Sequence, residues 1–541
     1  MPTESRPHAD ITPEISSDIR RPALSDSRKA LTVNEIIDER PVSTFQATTI
    51  LSCGLVLLLD GFDTQAMGFL VPPIAEELGV PLSAFGTVLS AGLFGLMLGA
   101  MGSGPIADRW GRKWAIIVSA FVFGGFSLLT PQADTIGELV LLRFLTGLGL
   151  GGAMPNVVSL ASEYAPKRLQ PILVTLIFVG MGGGAVLASL VGGALIPIWG
   201  WRSVFYVGGI LPIVLALVLV KTLPESVRFL TEKGGDPIRI RAIVGRIAPE
   251  LADAPIAATI PDRHTGVAVR HLFTEGRAAG TLLLWVPFFM NLLILYFILS
   301  WLPSLLRQAG MPVTAGITAV MSFSLGGIVG TILQGPLMKA FGVFPAILCE
   351  FVISLALVVT ASLIFANFPV MMTVTFVLGI SVQGAQAGMN ALSAMYYPTV
   401  IRSTGVGWAL GIGRIGSIIG PMIGGVMLSM AWTPQQIFMA GAVPALCAAV
   451  AVFVSGYWQG GNSPFRPEGA PTSGPAHKER VRRVRFAEPG LRGVRSGPAS
   501  PDQNGVCWPA VSGPPSSNSG LSSPTLVIER SDPRLSTILP P

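Results

Sequence analysis

The chain has 541 residues, of which 50% are hydrophobic and only 12% charged, with a formal net charge of +6 and a mean hydropathy of +0.63. A soluble domain of ordinary composition carries roughly a quarter charged residues, so a soluble globular class is excluded and a polytopic membrane protein is expected. The charges sit in bursts between long apolar runs, so the positive balance is no nucleic-acid signal and no nucleic-acid partner is expected.

Residues 1–44 mix acids and bases and hold no short apolar core followed by a small-residue cleavage site. A cytoplasmic N-terminal segment is therefore expected there, not a signal peptide. Apolar stretches near the ~20 residues that cross a bilayer then follow at 45–69, 84–106, 114–130, 139–161, 172–196 and 204–220. After the polar stretch 221–279, six more come at 280–302, 316–337, 344–365, 369–394, 405–430 and 437–456. The pattern predicts an all-α membrane protein with twelve transmembrane helices in two six-helix bundles, residues 45–220 and 280–456, joined by a central cytoplasmic loop, residues 221–279. From 457 onward the chain is rich in Gly, Pro and Ser with an Arg-rich patch at "KERVRRVRF". Such a composition buries too little apolar surface to offset its ordering entropy, so a disordered cytoplasmic tail is expected over 457–541.

The basic residues set the orientation. With a cytoplasmic N-terminus, the inside loops hold Arg109, Arg112, Lys113, Lys167, Arg168, Lys339 and Arg402, and the outside loops hold Arg202 and Arg307. Both termini are therefore expected inside. A weak repeat relates the halves: "GPIADRWGRK" after the second span answers to "GPLMKAFGVF" after the eighth. Same-direction repeats of this kind accompany transporters with a pseudo-two-fold axis along the membrane normal.

The four cysteines, Cys53, Cys349, Cys447 and Cys507, show no paired spacing, so neither a disulfide framework nor a metal site is expected. No Walker A lysine, HExxH or GxSxG occurs, which removes the sequence basis for ATP-driven pumping and hydrolysis. The chain is not expected to be an enzyme.

Charge inside the spans is confined to Asp60, Asp63, Arg143, Glu350 and Arg414. Ionisable residues at bilayer depth are costly and by default mark ion or substrate pathways. Asp60 and Asp63, in "LLLDGFDTQAMGFL", are three apart and share a helix face. Two carboxylates so placed do not easily both ionise, which suits them to exchange protons. All four histidines lie outside the spans, so carboxylates are the expected in-membrane proton carriers. Arg143 and Arg414 carry guanidinium forks suited to bidentate capture of a carboxylate, though they serve equally well as counter-ions for the two acids. The uncharged Asn291, Tyr296, Gln383, Gln386 and Asn390 on the seventh and tenth spans are candidates to line the same cavity, with helix–helix hydrogen bonds as the competing role. Glu350 stands alone and is assigned a structural role. Glycine is dense in the second, fifth, eighth and eleventh spans, which suggests sliding faces between the halves.

"GPIADRWGRK" resembles the signature loop of the major facilitator superfamily, and "RFLTGLGLGG" its fourth-helix motif. Within it, "DGFDTQ", "AMPNVVSLASEYAPKRL" and "GVGWALGIGRIGSIIGP" are similar to the aromatic acid:proton symporters, which include permeases for 4-hydroxybenzoate and protocatechuate. The resemblance covers residues 45–456 and implies a bacterial inner-membrane importer working by alternating access on a proton gradient, with no cofactor. It implies that Asp60 and Asp63 serve proton coupling and that Asp108, Arg109, Arg112 and Lys113 form the cytoplasmic gate, Asp108 pairing across the halves. The expected partners are a small aromatic carboxylate, protons and the lipid bilayer, with the protein a monomer. A permease for another organic acid or a sugar, and a transporter-like sensor, are the alternatives.

Overall fold

Twelve long apolar helices make up the computed structural model, which describes residues 31–232, 237–251, 256–257, 269–274, 276–364, 367–398 and 401–462. The expectations for residues 1–30 and for the tail beyond 462 lie outside the described residues, as does much of the central loop, while 457–462, expected in the tail, continue the last helix. In the first half the helices are α1 (Thr44–Leu78), α2 (Phe85–Trp110), α3 (Arg112–Leu129), α4 (Ile136–Tyr164), α5 (Gln170–Trp199) and α6 (Arg202–Thr222). In the second half they are α7 (Ala278–Gln308), α8 (Val313–Phe341), α9 (Val343–Leu363), α10 (Phe368–Tyr396), α11 (Arg402–Ser429) and α12 (Ala442–Asn462). Each is long and apolar enough to cross a membrane, and the protein is a multi-pass membrane protein.

Helix ends follow local chemistry more than hydropathy. Ser43 caps α1 by accepting from the Gln46 backbone N–H while the Gln46 side chain accepts from the Ser43 N–H, a reciprocal pair that satisfies two otherwise orphaned donors. The helix then runs past the apolar window, through Pro72 and Pro73, and stops where Gly79 turns left-handed at φ 64°. Val71, Pro72 and Ile74 are buried there, Val71 and Ile74 in an apolar core that both halves share, so packing sustains the two turns that prolines would weaken in isolation.

The halves repeat one another. In the first, α1 packs along α5 and α2 along α4; in the second, α7 packs along α11 and α8 along α10. The loops "DRWGRK" and "KAFGVF" turn at Gly111 (φ 94°, ψ 158°) and Gly342 (φ 89°, ψ 162°), nearly the same left-handed geometry, which a side chain rarely adopts.

The glycines correct the expectation drawn from the sequence. Most of them lie inside a half, not between halves. Gly61 and Gly184 let α1 and α5 touch at backbone distance, Gly95 and Gly147 do so for α2 and α4, Gly326 and Gly379 for α8 and α10, and Gly416 for α11 on α7. Between the halves, Gly86 meets Gly425, Gly68 meets Leu299 and Gly182 meets Ile328. Small residues serve any close backbone approach, so spacing alone cannot say which neighbour is approached.

The halves share their large apolar core toward one end. Opposite the ends that carry Thr44 and Tyr457, a single apolar core contains Leu70, Ile74 and Val88 of the first half with Trp301, Leu305 and Ile317 of the second. At the end carrying the termini, one core belongs wholly to the first half and another wholly to the second. The short helices Val33–Glu39 and Pro237–Ile247 bury Ile36, Ile37, Ile240 and Val244 in the first-half core. The bundle is thus open toward the end carrying the termini.

Candidate transport site

The two acids of α1 are separated by the fold. Asp63 is 4% exposed and faces α4, where Arg143, also 4% exposed, closes on it with Nη1 3.1 Å from Oδ2. Ser127 of α3 donates to Asp63 Oδ1 at 2.9 Å. Arg143 Nη2 donates to Thr130 (2.7 Å) and Thr146 (3.2 Å), and its guanidinium carbon lies 4.8 Å from the centre of the Phe205 ring. This is a buried, hydrogen-bonded ion pair within the first half, with Arg143 Nε left unpartnered. Of the two roles left open for Arg143, the geometry gives it the counter-ion position.

Asp60 is different. It is fully buried, and only one oxygen is engaged: Thr64 donates to Oδ1 at 3.1 Å, while Oδ2 has no partner. Arg414, on α11 of the other half, lies within Coulombic range of it and makes no ion pair with it. The guanidinium is half-buried and donates to the Tyr296 hydroxyl and the Met154 thioether, both at 3.3 Å. A cation held only by neutral groups, facing an incompletely satisfied acid across the seam, keeps capacity for one more anion.

Asp63, Arg143, Tyr296 and Ser300 line a cleft between the halves with apolar walls from Val88, Leu93 and Leu299. From buried Asn291 an amide chain leads toward the open end: Asn291 Nδ2 donates to Gln386 Oε1 at 3.0 Å, and Gln386 Nε2 donates to Asn390 Oδ1 at 3.2 Å. Asn390 is exposed. Gln383 lies elsewhere, against Gly327 inside the second half, with its amide nitrogen unpartnered.

These positions can be set beside known proteins. A sequence profile of the Major Facilitator Superfamily matches residues 53–358 and 318–515. The chain belongs to the major facilitator superfamily. It is 39% identical to the 4-hydroxybenzoate transporter PcaK of Pseudomonas putida over 79% of this chain and 96% of that one. It is 36% identical to the gallate transporter of Pseudomonas putida over 79% and 95% of the two chains. Among solved structures, a bacterial homolog of the human lysosomal transporter Spinster, inward-facing and unoccupied, superposes with a TM-score of 0.59 at 19% identity, covering 76% of this chain and 97% of that one. That likeness carries the fold.

The superfamily's signature loop is only partly engaged. Arg112 pairs with Glu163 of α4 at 3.1 Å and donates to Ser226 at 2.7 Å, and Ser226 donates to Glu163 at 2.5 Å. Glu225 accepts from the Lys113 backbone N–H at 3.0 Å, and Lys113 Nζ donates to the Val220 carbonyl. Asp108 and Arg109 are exposed and make no ion pair among the described residues. The expected pairing of Asp108 across the halves is not seen among the described residues. Sequence reasoning missed Glu163, Glu225 and Ser226. The signal was present, since "SEYAPKRL" and "LPESVRFL" each place a polar group at a span boundary, but nothing in the sequence says that the two boundaries meet.

Proposed function

We propose that the protein is a proton-coupled symporter that imports a small aromatic carboxylate across the bacterial inner membrane by alternating access. The relatives named above support an aromatic acid as substrate, and the basic residues at the loops near the termini support a cytoplasmic position for that end. On this reading the structure is inward-open. The observation that carries the coupling is the relation of Asp60 to Arg414: a half-satisfied buried acid facing a guanidinium from the other half.

A substrate carboxylate reaching Arg414 occupies its free donors and cancels the charge that compensates Asp60. Asp60 left without compensation in a low-dielectric site takes up a proton. When the substrate leaves toward the open end, Arg414 again faces Asp60 and the proton is released on the same side. Asp63 stays locked to Arg143 and contributes by fixing α1 on α4. The apolar walls of the cleft receive the ring, and the Asn291–Gln386–Asn390 chain offers hydrogen bonds to polar substituents on the way out. Asp108, Arg109, Arg112 and Lys113 act as the gate at that end, closing when the halves meet there. The energy source is the proton gradient, no cofactor is used, and the monomer is the working unit.

The test is uptake of labelled 4-hydroxybenzoate by proteoliposomes holding the purified full chain under an inward proton gradient. Accumulation that collapses with a protonophore, and is abolished by Asp60→Asn, is the expected result. Binding without accumulation would turn the reading toward a sensor, and protonophore-insensitive uptake would remove the coupling.

A further inference from the structure

Glu350 is the membrane-embedded acid that this cycle leaves unused. It sits on α9, 6% exposed, and neither carboxylate oxygen has a partner at hydrogen-bonding geometry. Gln334 of α8, 3% exposed, is its polar neighbour, close enough to interact with the carboxyl though neither amide atom meets full hydrogen-bond geometry. The two polar heads share one niche, cut into α10 by two glycines a turn apart. A Cβ on Gly384 would meet Glu350 Oε1 at 2.5 Å and Gln334 Oε1 at 3.5 Å, and a Cβ on Gly388 would collide with Gln334 Nε2. One turn further along α9, Ser354 donates to Ser381 of α10 at 2.8 Å, so the polar column continues between the same helices.

Among the described residues, no counter-charge is paired with this niche. The elements packed against α9 are α8, α10, α12 and the short helix Pro434–Ala440. The titratable groups they carry are Lys339, Tyr396, Cys447 and Tyr457; Lys339 and Tyr457 are exposed, and Tyr396 donates to the Arg277 carbonyl. Cys349, beside Glu350 on α9, is exposed and turned away. A bare carboxylate in such a place is heavily penalised, since neither solvent nor a cation compensates it. A proton removes the charge and gives the group an O–H to donate to the Gln334 carbonyl oxygen, which lies against the same glycine.

We propose that Glu350 is a second proton-binding site, held in the niche between α8, α9 and α10 and separate from Asp60. Proton binding there stands on the niche alone, and its use in a transport cycle rests on the symport reading. The charged form does not stay in the niche unpaired, so loss of the proton displaces the side chain or loosens α8 and α9 from α10.

Infrared difference spectra of the purified full chain, recorded across a pH titration, test this without a transport assay. The wild type is expected to show a protonated-carboxyl carbonyl band near neutral pH that Glu350→Gln lacks and Asp60→Asn retains. Gln334→Leu, which keeps the acid and removes its neighbour, is expected to shift that band. Identical wild-type and Glu350→Gln spectra would overturn the site, and a band unmoved by Gln334→Leu would overturn the niche as its cause. Neither outcome touches the uptake experiment, which judges the symport reading by itself.

Discussion

Asp63 and Arg143 meet at 3.1 Å with both side chains 4% exposed, whereas Asp60, one turn earlier on the same helix, has an oxygen with no partner. Two acids that look alike in the sequence are thereby given different physical situations. One is neutralised inside its own half, and the other lies within Coulombic range of a charge carried by the other half.

Arg143→Ala leaves Asp63 buried with Ser127 as its remaining partner. Breaking a buried ion pair by removing one side costs about 3–5 kcal/mol. A clear drop in the thermal unfolding midpoint of the detergent-purified protein is expected, with a smaller change for Asp60→Asn. Equal midpoints for Arg143→Ala and wild type would show that the pair contributes little.

Arg414→Lys keeps the charge and loses the planar fork. Binding of 4-hydroxybenzoate, measured by calorimetry on purified protein, is expected to weaken at least about tenfold, or about 1.4 kcal/mol. The unfolding midpoint should barely move, since Arg414 donates only to a hydroxyl and a thioether. A loss of stability as large as the loss of affinity would recast Arg414 as a packing residue.

Gly111→Ala and Gly342→Ala separate strain from crowding. Both force alanine into a left-handed conformation, at about 1–3 kcal/mol. At Gly111 the added Cβ also meets the Glu225 carboxylate, while at Gly342 the nearest atom is Pro345 Cδ at an ordinary 3.6 Å. Gly111→Ala should therefore be the more destabilising, and the reverse order in thermal melts would contradict the geometry.

Glu163→Gln removes the charge that holds Arg112 and Ser226 together at the boundary of α3, α4 and the segment after α6. Hydrogen bonds to charged groups contribute about 1.5–3 kcal/mol. Faster proteolysis of the segment after Thr222, at unchanged ligand affinity, is the expected signature. Unchanged proteolysis would mean that the Glu225 side chain and the Tyr164 hydroxyl, which donates to the Glu225 carbonyl at 2.8 Å, suffice to hold that segment.

The helices were legible because a bilayer demands ~20 apolar residues in succession, and twelve such runs are plain in the chain. Their ends were less so, because α1 continues through Pro72 and Pro73 on packing that no window of hydropathy contains. The candidate residues were legible by type: acids and arginines in hydrocarbon stand out whatever surrounds them. Their partners were not. The glycine-rich runs show why, since Gly95, Gly184 and Gly326 have the spacing of an inter-half surface and are spent on neighbours within a half.

By itself, then, the sequence determined that the chain crosses a membrane in two similar halves and that a few ionisable groups lie at depth, because hydrophobicity and charge are properties of single residues and short runs. Only the tertiary structure decided that Arg143 neutralises Asp63, that Arg414 comes within Coulombic range of Asp60, that Glu350 shares a niche with Gln334, and that the halves keep separate cores at the end carrying the termini. Each of those is a distance between side chains remote in sequence, fixed by how the helices pack.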